Sequence, residues 1–266
     1  MLHGRRHLQL VDSERDAMRL ACRFNAQLMD YIRPHVKPGV RTEEIDRLVH
    51  DYTLDHGHIP ACLGYHGFPK SCCTSVNEVI CHGIPGEYEL KPGDIVNIDI
   101  TSVVEGWFGD QSETFFIGEV SDEAKQVTQC AFDSMHLAID AIYPECRVSE
   151  IGRMIVEEAK KFGYGVVEEF VGHGLGRRFH QEPSIPHVPT RAAHSIRILP
   201  GVCFTIEPMI NIGGPQTSLD QADGWTVRTQ DRTLSAQFEH TVLMTENGAE
   251  ILTLTQNGPQ KGHRFL

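Results

Sequence analysis

Two short stretches decide how this chain folds: PGDIVNID at residues 92–99 and PGVCFTIE at residues 200–207. Each reads as a Pro-Gly turn feeding a buried strand. Each strand ends on an acid between apolar neighbours, Asp99 between Ile98 and Ile100, and Glu207 between Ile206 and Pro208. A strand built only for an apolar core would not carry a carboxylate there, because an unpaired charge is costly to bury.

Working outward, the surroundings repeat as well. Ser13–Ile32 has helical apolar spacing, with a cap expected at Asp12 or Ser13 and a stop at Pro34. In RTEEI, Thr42 is the expected cap of a second helix, with Glu43 and Glu44 in its positive first turn and Ile45, Leu48, Val49 and Tyr52 on its face. Strands and loops follow over 59–118, including β runs at Ile95–Ser102 and Trp107–Ile117 around a turn at Glu105-Gly106. The order then restarts. One helix runs from SDEAKQV to Ile142, before Pro144; another covers VSEIGRMIVEEAKKFGY and ends at Gly163; strands and loops complete the chain. Arg41-x-x-Glu44-Ile45 recurs 106 residues on as Arg147-x-x-Glu150-Ile151, and the Pro-Gly strand recurs 108 residues on. Near-constant offsets over several elements indicate a duplicated α+β unit, about 12–118 and 121–255, whose halves pack into one domain. Each half alone is close to the lower limit for a self-sufficient core. Asp99 and Glu207 then face one another across the seam, and two bare carboxylates there demand neutralisation.

Composition narrows the function classes. The chain has 266 residues, of which 40% are hydrophobic and 23% charged, as expected of a globular protein. No apolar run approaches the ~20 residues needed to cross a bilayer, and the opening MLHGRRHLQLVDSERD lacks the apolar stretch of a secretory signal, so a cytoplasmic protein is expected. The eight cysteines form no CxxC pair and read as free, mostly buried thiols. A net charge of −12 argues against a nucleic-acid partner.

More acids converge on the seam. Asp110 follows Asp99 across the Glu105-Gly106 turn, so a hairpin can bring the two together, and Glu239 lies in a late strand, AQFEHTVLM. His173 stands between glycines in VGHGLGRRFHQEP, with His180 seven residues on. Any one of these residues reads equally well as a structural group. Together, four carboxylates and an imidazole suit two divalent cations, whose charge the four acids balance.

These residues, in the contexts NIDIT, GDQSETF, GHGLGRRFH, TIEPM and QFEHT, resemble the methionine aminopeptidases; the likeness covers nearly the whole chain and includes ACLGYHGFPKSCCTSVNEVICHGIP. About 26 residues between His180 and Glu207 leave no room for the helical insertion of type II enzymes, so the resemblance is to type I, in the compact bacterial form. It implies the pita-bread fold, two pseudo-twofold-related halves around a central antiparallel sheet. It implies Asp99, Asp110, His173, Glu207 and Glu239 as ligands of two divalent ions (Co, Mn, Fe or Zn), with Asp99 bidentate and Asp110 and Glu239 bridging. A bridging water or hydroxide would attack the carbonyl after an N-terminal methionine, with Glu207 accepting and shuttling the proton. His180 would hydrogen-bond the scissile carbonyl or oxyanion, and His82 would face the amide nitrogen. Family pocket positions fall on Cys62, Tyr65, Phe68, Cys73, Phe179 and Trp225, with Phe68 replacing a frequent tyrosine. A monovalent cation, Na or K, is implied near Asn77, Val79 and Ser235. Nascent chains with a small second residue would be the substrates, the enzyme would be a monomer, and the ribosome, but neither DNA nor a membrane, would be a partner.

Two other readings share the fold: a pita-bread peptidase cleaving before proline, disfavoured by the pocket residues, and a non-catalytic pita-bread module that binds proteins. Such modules typically lose ligands, and here all five positions stand. A simple oxygen-ligand Ca²⁺ site leaves His173 unexplained.

Overall fold

The computed structural model describes residues 8–265; the opening residues 1–7, part of the stretch read above for a secretory signal, lie outside the described residues. Four long helices, α1 (Asp12–Ile32), α2 (Thr42–Asp55), α3 (Asp122–Ala141) and α4 (Ser149–Lys160), are joined by a short α5 (Arg191–Ser195). The first-half strands are β1 (Ile59–Pro60), β2 (Cys73–Val76), β3 (Val79–Cys81), β4 (Ile95–Val104) and β5 (Trp107–Phe116). The later ones are β6 (Gly165–Val166), β7 (Gly172–Gly174), β8 (Gln181–Ile185), β9 (Cys203–Ile206), β10 (Met209–Asn211), β11 (Thr217–Leu219), β12 (Val227–Thr229), β13 (Ser235–Gln237), β14 (Glu239–Thr245) and β15 (Gly248–Ile251).

Helix boundaries match the sequence pattern, and the caps differ in an instructive way. Neither Asp12, Ser13 nor Thr42 caps. α1 is entered from Val11, whose N–H donates to the Glu14 carboxylate, and α2 from Arg41, whose N–H donates to Glu44. A carboxylate three residues into the helix reaches back to the orphan amide. Thr42 is spent elsewhere: its hydroxyl donates to the Gly86 carbonyl and accepts from the Gly86 amide, pinning α2 to the loop before β4. α3 is capped by Ser121, which accepts from the Ala124 amide.

β4 and β5 form the hairpin expected around Glu105-Gly106. Both turn residues have positive φ (50° and 81°), the requirement of a two-residue type I′ turn. The hairpin heads a nine-stranded sheet of order β1-β4-β5-β14-β9-β7-β8, with β2 on β4 and β15 on β14. Strands from both halves of the chain therefore share one hydrogen-bonded ladder, joined where β5 meets β14. α1 and α2 bury Met18, Leu28, Ile45 and Val49 against Ile98 and Ile100 of β4. α3 and α4 bury Val127, Phe132, Ile151 and Ile155 with Phe204 of β9 and Val242 of β14. All eight cysteines are free and buried. Among the described residues no helix is long and apolar enough to cross a membrane.

Candidate metal centre and substrate pocket

The register places the acids. Asp99 pairs with Ser112 on β5, Ser112 pairs on its other side with Glu239 on β14, and Ile206 pairs with His240. One residue further in the same register, just past the end of β9, Glu207 stands opposite Glu239. A single transverse row across four strands thus carries Asp99, Ser112, Glu239 and Glu207. Asp110 pairs with Thr101, two residues from Asp99 on β4. Side chains two apart share a face, so the hairpin sets Asp99 and Asp110 as diagonal neighbours on it.

His173 reaches the same place from β7. Its amide donates to Thr205 Oγ1 on β9, and its Nδ1 lies 3.1 Å from the Gly174 carbonyl. That contact puts the proton on Nδ1 and leaves the Nε2 lone pair facing carboxylates, 3.6 Å from Asp110 Oδ2 and 3.7 Å from Glu207 Oε1. Glycine at 174 is required by close approach: a Cβ there would lie 2.0 Å from the Glu182 carbonyl oxygen.

Asp110, His173 and Glu239 offer ligand atoms all within 4.8 Å of one another, and Asp99 and Glu207 line the same cavity. Asp110, Glu207 and Glu239 are 3%, 9% and 3% exposed. Among the described residues no lysine or arginine pairs with any of these acids; their ion-pair contact is His173, and burial holds that imidazole down at about 3. Burial pushes Asp99 up to about 7. Burial first, then mutual repulsion, pushes Asp110, Glu207 and Glu239 well above the usual carboxylate range. Four carboxylates converging with one imidazole lone pair, and no cationic side chain among the described residues, fit divalent cations. Thr101 donates to Asp110 (2.8 Å), and Thr205 (2.8 Å) and Gln237 (3.3 Å) donate to Glu207, so the outer oxygens are oriented by neutral donors.

Above the acids lies a cavity of about 310 Å³. Its walls include all six pocket residues named from the sequence, and His82 and His180 as well. Phe179 stacks on His180 at 4.3 Å, Tyr65 lies 4.7 Å from Phe179, and Phe68 meets Trp225 edge-on at 5.2 Å. Cys73 is held protonated, first by its contact with Cys62 and then by burial, and the two sulfurs present a polarisable surface. Tyr65 Oη sits 2.7 Å from His180 Nδ1. Burial lowers His180 to about 4 and raises the Tyr65 phenol, so a neutral imidazole faces a protonated hydroxyl. With the phenol donating, the His180 proton resides on Nε2. His82 adopts positive φ (56°), unusual for a non-glycine residue, and its ring is edge-on to Phe170 at 5.4 Å.

Asn77, Val79 and Ser235 lie outside this cavity. Asn77 has φ of 55°, accepts from the Ser235 amide through its carbonyl, and uses both side-chain groups on Asp94 and the Ile95 amide. The sequence did not single out Gln237, Thr205, His187, Phe170 or Met209. Gln237, two residues before Glu239, had a readable signal in its strand alternation; the others depend on tertiary placement.

The metallopeptidase family M24 profile matches residues 16–246. A methionine aminopeptidase of Rickettsia prowazekii is 45% identical over 247 residues, 92% of this chain and 95% of that protein. The crystal structure of methionine aminopeptidase from Rickettsia prowazekii superposes with a TM-score of 0.90 at 44% identity, covering 92% of this chain and 99% of the other. A prolidase from Pyrococcus furiosus, 21% identical with a TM-score of 0.76, covers 94% of this chain and 66% of its own, and shares the fold. The architecture is the pita-bread α+β fold, and this chain belongs to metallopeptidase family M24 and, within it, to the methionine aminopeptidases.

Proposed function

We propose that this chain, as one catalytic domain of two repeats, hydrolyses the peptide bond after an N-terminal methionine with Asp99, Asp110, His173, Glu207 and Glu239 holding two divalent ions. The observation that carries this reading is the transverse row of carboxylates, without a lysine or arginine partner among the described residues, at the floor of a sulfur- and aromatic-lined cavity. When bound, the ions supply Lewis acidity and an activated water at neutral pH. The protein's own groups do the rest. Cys62, Cys73, Phe68 and Trp225 enclose the thioether side chain, and Tyr65 and Phe179 close the pocket beside His180. The Nε2–H of neutral His180, oriented by the Tyr65 hydroxyl, donates to the scissile carbonyl as negative charge develops there. Glu207 takes a proton from the attacking water and returns it to the leaving amine as the C–N bond breaks. His82 faces that nitrogen. A cavity of about 310 Å³ suits one methionine side chain and the start of a chain with a small second residue.

The same reading includes a monovalent cation at Asn77, Val79 and Ser235, a monomeric cytoplasmic enzyme, and nascent chains at the ribosome as substrates. Metal analysis with a peptide assay across Mn²⁺, Co²⁺, Fe²⁺ and Zn²⁺ tests the proposal. Release of methionine from Met-Ala-Ser, without cleavage of Xaa-Pro peptides, supports it. Cleavage of Xaa-Pro peptides alone, or no cleavage with metal bound, refutes it.

A further inference from the structure

His187 is fully buried, yet it belongs to none of the groups above. It follows β8 and Pro186, and its Nε2 accepts a hydrogen bond of 3.2 Å from the backbone amide of Glu207. The place is special in the topology. β9 pairs with β14 in the nine-stranded sheet up to Ile206, whereas from Met209 the chain, as β10, pairs with β13 and β6 in a separate three-stranded sheet. Glu207 and Pro208 make the crossing, and Pro208 has no N–H to offer. The Glu207 amide is therefore the last donor of one ladder with no carbonyl of either sheet to receive it. A buried amide without an acceptor is strongly disfavoured.

We propose that His187 is a positioning residue: its Nε2 replaces the missing ladder acceptor and fixes the Glu207 backbone, so that the Glu207 carboxylate points into the acidic cluster. Acceptance at Nε2 dictates the Nδ1–H tautomer. That N–H is turned toward the Phe170 carbonyl, although the contact falls short of a well-formed hydrogen bond. Phe170 in turn packs edge-on against His82 in the cavity wall. Thr205 and Gln237 hold the Glu207 carboxylate from two sides, but both bonds depend on where the backbone sets the side chain. One imidazole thus steadies the acid end of the site and buttresses the wall behind His82.

The inference rests on Glu207 being a ligand and proton acceptor, and the test separates the two ideas. Wild type is measured first by Mn²⁺ calorimetry and Met-Ala-Ser kinetics; absence of Mn²⁺ binding or of cleavage there removes the basis of both. His187→Gln places an acceptor near the Nε2 position, whereas His187→Asn is polar but too short. The expected result is Mn²⁺ Kd and kcat within threefold of wild type for His187→Gln. For His187→Asn a 10- to 100-fold weaker Kd and lower kcat are expected, with KM within threefold, the range typical of lost supporting contacts at metal sites. Thermal unfolding confirms that both variants are folded. Equal impairment of the two variants, an unimpaired His187→Asn, or an effect on KM alone overturns the proposal.

Discussion

Replacing Asp99 by Asn should stabilise the metal-free protein while destroying the metal-dependent one. In the absence of cations, burial holds Asp99 at about 7, against an ordinary 3.8. A carboxyl whose folded value is raised binds its proton more tightly in the native state, so stability falls as pH rises from about 4 through 7 and the loss is complete above that. The difference of about three pH units, at about 1.4 kcal/mol each, sets the cost of ionised Asp99 on the order of 4 kcal/mol near pH 8. Asn has nearly the same shape and no charge. Urea unfolding of chelator-treated proteins near pH 8 should therefore show Asp99→Asn more stable than wild type by up to about 4 kcal/mol. Near pH 5 Asp99 is protonated in the folded state, and the advantage should shrink to roughly 1.5 kcal/mol. With Mn²⁺ at a hundredfold excess over Kd at both sites the order should reverse, because wild type gains about 2.7 kcal/mol for each of two bound ions, together more than the variant's advantage, and the variant loses a ligand. Methionine release should fall at least a hundredfold. An Asp99→Asn protein that is less stable than wild type without metal near pH 8, or fully active with it, refutes the reading of Asp99 as a buried charge kept for a cation.

Two other substitutions probe separate links. His180→Ala should lower kcat by 10²–10⁴ with both metals retained, and Tyr65→Phe, which frees the His180 tautomer, should lower kcat about tenfold; metal analysis beside steady-state kinetics checks both, and lost metal refutes the assigned role. Gly174→Ala forces a Cβ to 2.0 Å from the Glu182 carbonyl, so β7 must shift with His173; more than about 2 kcal/mol of destabilisation and weaker Mn²⁺ binding are expected, measured by thermal unfolding and calorimetry.

The four acids and the imidazole were legible because their neighbours were anomalous. An acid between isoleucines, or a histidine between glycines, contradicts the local pattern, and such contradictions gather at functional sites. The helix caps were read less well: Thr42 has the chemistry of a cap, but its hydroxyl is taken by Gly86, a partner 44 residues away. His187 carried no local anomaly, since a histidine after Pro186 in a loop is unremarkable until Glu207 is seen to lack a ladder partner.

The duplicated α+β order, the hairpin around Glu105-Gly106 and the identity of the charged groups at the seam were readable from local sequence, because they follow from apolar period, turn chemistry and an offset between repeats. The row that brings Asp99, Glu239 and Glu207 into line came from strand pairing across the fold. That row depends on the register in which β5 meets β14 and β14 meets β9, and a slip of one residue would turn every acid to the other face. The tertiary structure also decided which neutral groups hold the acids in place, because a hydrogen bond between Glu207 and His187, or between Glu207 and Gln237, joins residues whose separation along the chain says nothing of their distance in the fold.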